Sequence, residues 1–402
     1  MTDPRRLDRQ PWMDTPATLR VMAAIGAGND EARFVGGCVR NTLLGRPIAD
    51  IDIATIHLPE RVMELLRAAE IKAIPTGIEH GTVTAVTDSQ PFEITTLRRD
   101  VETDGRRAVV AFTTDWHEDA ARRDITMNAM FLDCDSQLDD PFGGYEDTLA
   151  GRVRFVGDAR TRIREDVLRI LRFFRCYAHY GQPPMDAEGL AACRELAPLL
   201  PELSGERIQT ELLKLLAAQE PSDVLSEMAS SGIWPILLPS PITLDALRPL
   251  FALQGDRIDP LLRLAAMIES DPDATASRLR LSNADGKRLR LLVSERIDPS
   301  SDRLSNRRAI HRFRVEPYRD ILHLSAARAG ITDPAVISRA MNEKPPPAFP
   351  IKGRDLMALG MPGNVALGRI LDKTETWWIE GDFMADKSAC LEQAKVIASK
   401  ET

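Results

Sequence analysis

Between about Ala32 and Phe155, short runs of β-branched and aromatic residues alternate with helix-like pieces. They are ARFV (32–35), IDIA (51–54), TVTAV (82–86), FEITTL (92–97), AVVAF (108–112) and NAMFLD (128–133). Such runs predict strands, and this stretch reads as a mixed α/β domain. From about Asp158 the pattern changes. Apolar positions now recur at helical spacing in long segments rich in Leu, Ala and Arg, broken by Pro and Gly, which predicts an all-helical remainder. The expected fold class is α+β, with a mixed sheet first and helices after it. Turn-rich joints at Gly181-Gln182-Pro183-Pro184, at Pro239-Ser240-Pro241 and over 344–350 divide the helical part. We place boundaries after about 155, after about 220 and near 345. No fixed-period repeat and no low-complexity tract argues for a solenoid or a disordered tail.

The first candidate chemistry lies where ARFV runs into Gly36-Gly37 and a short segment closed by Gly45. Two glycines at a strand-to-helix turn let backbone N–H groups approach an anion, and the helix N-terminus adds partial positive charge. Arg40, one turn in, is placed for a bidentate phosphate contact. Taken alone, a Gly-Gly pair reads as plain turn chemistry. The residues that follow change this. In Ala-Asp50-Ile-Asp52-Ile, a strand would put both carboxylates on one side and Ile51 and Ile53 in the core. Two like charges side by side repel unless a cation sits between them, and Mg²⁺ takes carboxylate and phosphate oxygens. The plainer reading is a solvated face or a helix cap, against the low strand propensity of Asp. Glu93, between the core-facing Phe92 and Ile94, either completes a carboxylate cluster or is an ordinary exposed Glu.

Composition narrows the field only a little. At 402 residues, two or three domains are expected at roughly 150 residues each. No apolar run approaches the ~18 residues of a membrane helix, and no apolar segment follows the N-terminus as in a secretory signal, so the expectation is a cytoplasmic protein without a membrane partner. Five scattered cysteines have no metal-ligand spacing and read as reduced, mostly buried thiols. A net charge of −8 means that any nucleic acid must meet a local basic patch.

Gly36-Gly37-x-Val39-Arg40-x-x-Leu43-Leu44-Gly45 followed by Asp50-x-Asp52 resembles the signature of class II tRNA nucleotidyltransferases and bacterial poly(A) polymerases. Three later segments resemble the same family in the same order: Arg122-Arg123-Asp124-Ile125-Thr126-Met127-Asn128-Ala129, Glu165-Asp166-Val167-Leu168-Arg169, and Glu206-Arg207-Ile208 with Glu211 and Lys214. These motifs span roughly residues 30–220, and the Lys352–Leu356 and Trp377-Trp378 regions are only loosely similar to the family's tail. Asn41 departs from the pattern, since the family has Asp there and Arg40 would lose an ion-pair partner.

The resemblance implies a polymerase-beta-like head (1–155), a helical nucleotide-recognition neck (156–220), a helical body (221–345) and a helical tail that binds tRNA (346–402). It implies two Mg²⁺ ions on Asp50 and Asp52, with Glu93 beside them. Gly36, Gly37 and Arg40 would hold the triphosphate, and Arg123, Asp124 and Asn128 the ribose and phosphates. CTP, ATP and tRNA are the implied partners. The polar stretch from Arg98-Arg99-Asp100 to Gly105-Arg106-Arg107 looks like the family's flexible loop.

Residues 160–175 carry six arginines, Arg172 among them, and an apolar stripe. On one continuous helix, Asp166 and Arg169 would be neighbours three apart, with Glu165 alongside. Cytosine and adenine both present an amine beside an acceptor nitrogen. Asp166 accepting from the amine and Arg169 donating to the ring nitrogen would suit these two bases and reject uracil and guanine. Without the ordered motifs, the pair reads as a surface salt bridge. Glu206, Arg207, Glu211 and Lys214, on a helix with a Ser start signal, are expected to brace this site.

CCA addition is the leading reading. Partial CC or A addition, or poly(A) synthesis, stand beside it, and a catalytically silent RNA-binding module is the alternative of another class. Six scattered histidines give no support to a metal phosphohydrolase. Basic spots at Arg307-Arg308 and Arg312–Arg314 read either as tRNA contacts or as solvated surface. The residues do not define an oligomeric state.

Overall fold

The structure, a computed structural model, describes residues 5–100, 110–343, 345–363 and 365–401. Two compact units emerge. The first comprises residues 1–241 with 274–281, and the second 242–273 with 282–402.

The first unit is built on ten strands: β1 (Arg5–Arg6), β2 (Ala32–Val35), β3 (Asp52–Thr55), β4 (Lys72–Gly77), β5 (Thr82–Thr87), β6 (Gln90–Thr96), β7 (Arg98–Asp100), β8 (Val110–Phe112), β9 (Phe131–Leu132) and β10 (Gln137–Asp139). Eight form one sheet in the order β1-β10-β9-β2-β3-β6-β5-β4, while β7 and β8 pair separately. Among the described residues only β3 and β6 run parallel, in a register that sets Asp52 opposite Glu93. Pleating gives the sheet two different faces. Phe34, Ile53, Phe92 and Ile94 pack on one face with Val21, Ile25, Val62 and Leu66 from the helices Pro16–Ala24 and Pro59–Ala68 or their ends. Val35, Ala54 and Phe131 pack on the other with Ala120 and Val156. Asp52 therefore shares the second face, opposite the larger core.

After the Ile125–Phe155 bridge this unit is helical. The Arg169–Tyr180 helix buries Ile170, Leu171, Phe173, Phe174 and Cys176, and Phe173 stacks on Phe155 at 5.2 Å. Against it lies the Gly205–Leu216 helix, capped as expected by Ser204, whose hydroxyl accepts from the Arg207 N–H. A Cβ on Gly205 would meet the Arg278 carbonyl oxygen at 2.2 Å, so only glycine allows residues 274–281 to pack on this helix start.

Three expectations change here. Asp50 lies ahead of β3 and is exposed, because the strand begins only at Asp52. The single helix expected over 160–175 is two helices, Ala159–Glu165 and Arg169–Tyr180, with Asp166 at φ −150° and ψ 105° in the break. Arg98–Asp100, expected in a loop, is a strand, while 101–107 lie outside the described residues.

Among the described residues the named elements of the second unit are all helices, with one isolated antiparallel bridge between Ile242 and Ile268. Its Val315–Arg328 helix buries Tyr318, Ile321, Leu322 and Leu324, and Asp320 within it accepts from Arg257 at 3.0 Å and Arg288 at 2.6 Å. Removing one member of a buried ion network strands the others without a partner. Asp320→Ala is expected to destabilise this unit by about 3 kcal/mol, read as a lowered urea midpoint by helical circular dichroism; an unchanged midpoint would contradict it. Further along, Trp378 and Phe383 pack with Ile351, Leu356, Ile370 and Cys390. Arg307 is paired with Asp382 at 2.6 Å, Arg308 bonds the Glu380 carbonyl, and Arg312 pairs with Glu295 at 2.8 Å. The expected basic spots are thus largely tied to neighbouring acids and carbonyls. All five cysteines are free, and Cys38, Cys176, Cys193 and Cys390 are buried.

Candidate active site

Strand β2 turns into the Gly37–Leu43 helix at Gly36, whose φ of 72° and ψ of −122° lie where side chains are disfavoured. A Cβ there would stand 3.9 Å from both Asp52 Oδ2 and Arg123 Nη1, so the turn sits between a carboxylate and a guanidinium. It opens into a cavity of about 490 Å³. All the predicted site residues line this cavity except Asp50 and Glu165.

At the carboxylate end, burial above all pushes the Asp52 carboxyl up to about 6, and Glu93 and Asp50 add to this against Arg123 and Arg40. Oxygen-only donors and unrelieved carboxylate repulsion suit a hard divalent cation. Among the described residues, no three His, Cys, Asp or Glu side chains converge closely enough to enclose an ion unaided.

Arg40 is largely buried and donates to Asn128 Oδ1 at 2.5 Å and to the Tyr180 hydroxyl at 2.7 Å, with its guanidinium 3.8 Å from the Tyr180 ring centroid. Asn41 Oδ1 accepts from Arg40 at 3.1 Å, so the departure from Asp keeps a neutral partner in place of an ionic one.

Seven arginines face four carboxylates across the cavity lining. Two buried carboxylates, Asp124 in the lining and Asp119 outside it, order the cations. Asp124 pairs with Arg172 at 2.7 Å, and this and other nearby positive charge hold its carboxyl below the usual range although burial opposes it. The angle is poor, leaving Asp124 Oδ2 and Arg172 Nε without a hydrogen bond. Asp119 grips both Arg122 and Arg123, and the two arginines outweigh burial to keep it ionised. Residue patterning missed Asp119, although its position three and four residues before the Arg pair is a legible signal. Arg98 and Arg175 were missed as well.

Also on the cavity lining, Asp166 accepts from Arg207 at 2.8 Å and from the Leu168 N–H at 3.1 Å. Arg169 donates to Glu165 at 2.5 Å and to the carbonyls of Arg162 and Arg122 at 3.0 and 2.8 Å. Asp166 and Arg169 do come together on the cavity wall, but across a helix break rather than along one face. Glu165 stands behind Arg169, and Glu211 behind Arg175 at 3.0 Å.

Comparison with known proteins bears on this arrangement. Residues 32–154 match the poly A polymerase head domain, and residues 184–243 the probable RNA and SrmB-binding site of polymerase A. The chain is 36% identical to the human mitochondrial CCA tRNA nucleotidyltransferase 1, over 91% of this chain and 87% of that protein. It is 41% identical to the CCA-adding enzyme of Geobacillus thermodenitrificans over about half of each chain. The crystal structure of the Bacillus stearothermophilus CCA-adding enzyme in complex with CTP superposes with a TM-score of 0.78 at 26% identity, covering 96% of this chain and 99% of that one. The Thermotoga maritima CCA-adding enzyme complexed with tRNA shares the fold, with a TM-score of 0.68 at 20% identity. With a human relative matched over nearly its whole length, the chain belongs to the CCA-adding tRNA nucleotidyltransferase family.

Proposed function

We propose that this protein adds CCA to the 3′ end of tRNA from CTP and ATP without a nucleic-acid template, releasing pyrophosphate. The observation that carries this is a cavity lined by the carboxylates of Asp52 and Glu93, by seven arginines, and by Asp166 with Arg169. Nucleoside triphosphates carry the matching groups: phosphates for the arginines and a bound cation, and a base edge for Asp166 and Arg169. The 36% identity to a tRNA nucleotidyltransferase supports tRNA as the acceptor. In this reading residues 1–155 are the catalytic head, 156–220 the neck, 221–345 the body and 346–402 a tail that binds tRNA.

The Gly36 and Gly37 backbone, with Arg40 and Arg123, binds the triphosphate. Asp124, Asn128 and Arg172 fix the sugar and phosphates. Asp50 and Asp52 would hold Mg²⁺, with Glu93 alongside; bound there, the ion supplies charge neutralisation at the reacting phosphate. Asp166 and Arg169 read the amine and the ring nitrogen of C or A. The free cysteines suit a reducing compartment, and we place the protein in the cytoplasm.

The test uses tRNAs ending before CCA, after C and after CC, incubated with Mg²⁺ and with CTP or ATP separately. CTP is expected to extend the first two substrates and ATP the third. No CTP incorporation on any substrate would replace this reading by A addition, and no incorporation of either nucleotide would leave an RNA-binding module.

A further inference from the structure

Asp119 lies on the Trp116–Ala121 helix with its side chain only 1% exposed. Three groups converge on its two oxygens. Oδ1 accepts from Arg122 Nε at 2.8 Å and from the Arg98 backbone N–H at 3.2 Å. Oδ2 accepts from Arg123 Nη2 at 2.8 Å and Nε at 3.1 Å. Arg98, Arg122 and Arg123 all line the cavity, and Arg98 opens the β7–β8 pair. Two guanidinium groups and one backbone N–H thus share one buried carboxylate, so the Arg122–Arg123 pair keeps a net positive charge beside the cavity that suits a multiply charged anion. We infer that Asp119 is a positioning residue that locks Arg122, Arg123 and the start of β7 into one clamp for the triphosphate of the incoming nucleotide. This rests on the reading that the cavity takes nucleoside triphosphates.

Two effects compete when Asp119 becomes Asn. Losing the negative charge leaves the arginines more attractive to phosphate. However, the amide nitrogen can only donate, and it would face a guanidinium or amide N–H that also donates, so at least one partner must swing away. In an open, solvated cavity the added charge is screened, whereas a misplaced arginine loses directed bonds. Loss of orientation therefore dominates.

The experiment titrates CTP and CMP, with Mg²⁺ and without tRNA, into wild-type protein and Asp119→Asn by calorimetry. CTP affinity is expected to fall roughly tenfold, the size of a lost charge-assisted hydrogen bond, while CMP affinity stays within about twofold. In an Arg122→Ala/Arg123→Ala background the same change should have little further effect on CTP. Wild-type or tighter CTP binding by Asp119→Asn overturns the clamp, as does an equal loss for CTP and CMP, which marks a merely structural residue. If Asp119→Asn does not fold, Asp119→Glu decides by the same comparison: it keeps the charge but shifts the oxygens, and weaker CTP binding with unchanged CMP binding is again the expected result. Wild-type protein that binds neither ligand removes the nucleotide reading itself, and the clamp with it.

Discussion

Asp52→Asn is expected to lower CMP and AMP incorporation by at least about a thousandfold, the rate equivalent of several kcal/mol of transition-state charge stabilisation. The expectation follows from where Asp52 is held. Ile53 anchors it from the core side, the β3–β6 ladder fixes it opposite Glu93, and Gly36 leaves room for an anion directly before it. Asn is nearly the same size and keeps one acceptor oxygen, so the sheet should persist and tRNA affinity should change by less than about twofold. Single-turnover CMP incorporation on a tRNA ending before CCA and AMP incorporation on one ending in CC, with filter binding of the same tRNAs, measure both quantities. Turnover within tenfold of wild type would remove Asp52 from the chemistry.

Alanine at Asp166 or Arg169 is expected to lower kcat/KM for CTP and ATP by about a hundredfold or more, and to let UTP and GTP approach them. The hydrogen bonds explain why the pair suits base reading. Arg169 has five N–H donors, and three are taken by Glu165 and the Arg162 and Arg122 carbonyls, which leaves Nε and one Nη2 hydrogen. Asp166 Oδ1 accepts from Leu168 and Arg207, and Oδ2 from Arg207, which leaves acceptor capacity on Oδ2. Each side chain is locked yet keeps a group for a base. Arg207→Ala frees Asp166 without removing it, and a smaller loss is expected there. Measuring kcat/KM for all four nucleotides on a tRNA ending before CCA and on one ending in CC tests the pair, and unchanged discrimination in both alanine variants would refute it.

Much of this site was legible beforehand because its signals are local. The alternation around Ile51 and Ile53 reports which side of a strand is buried, and both are core residues here. The same holds for the Gly-Gly turn, a backbone requirement written in two adjacent residues, and for the Ser204 cap. Spacing alone misplaced Asp50, since patterning does not say at which residue a strand starts to pair. It also missed β1 and β10, which are too short to show a period and exist because neighbouring strands offer them hydrogen bonds.

The helix break at Asp166 belongs to the tertiary structure as well. Helical periodicity runs straight through residues 160–175, and a continuous helix is the cheaper local choice. The chain breaks because the Asp166 side chain takes over a backbone N–H at Leu168 and draws in Arg207 from a distant helix, while Arg169 finds the Arg122 carbonyl. Leu168 is local, but Arg207 and the Arg122 carbonyl lie 41 and 47 residues from the side chains that meet them. Residue pattern and motif order pointed to the chemistry and to most of the residues that line the cavity. Long-range packing alone settled that Asp52 meets Glu93 across a parallel ladder, that Asp119 ties two arginines to β7, and that Asp166 and Arg169 share a wall without sharing a helix, because each depends on groups that only folding brings within hydrogen-bond reach.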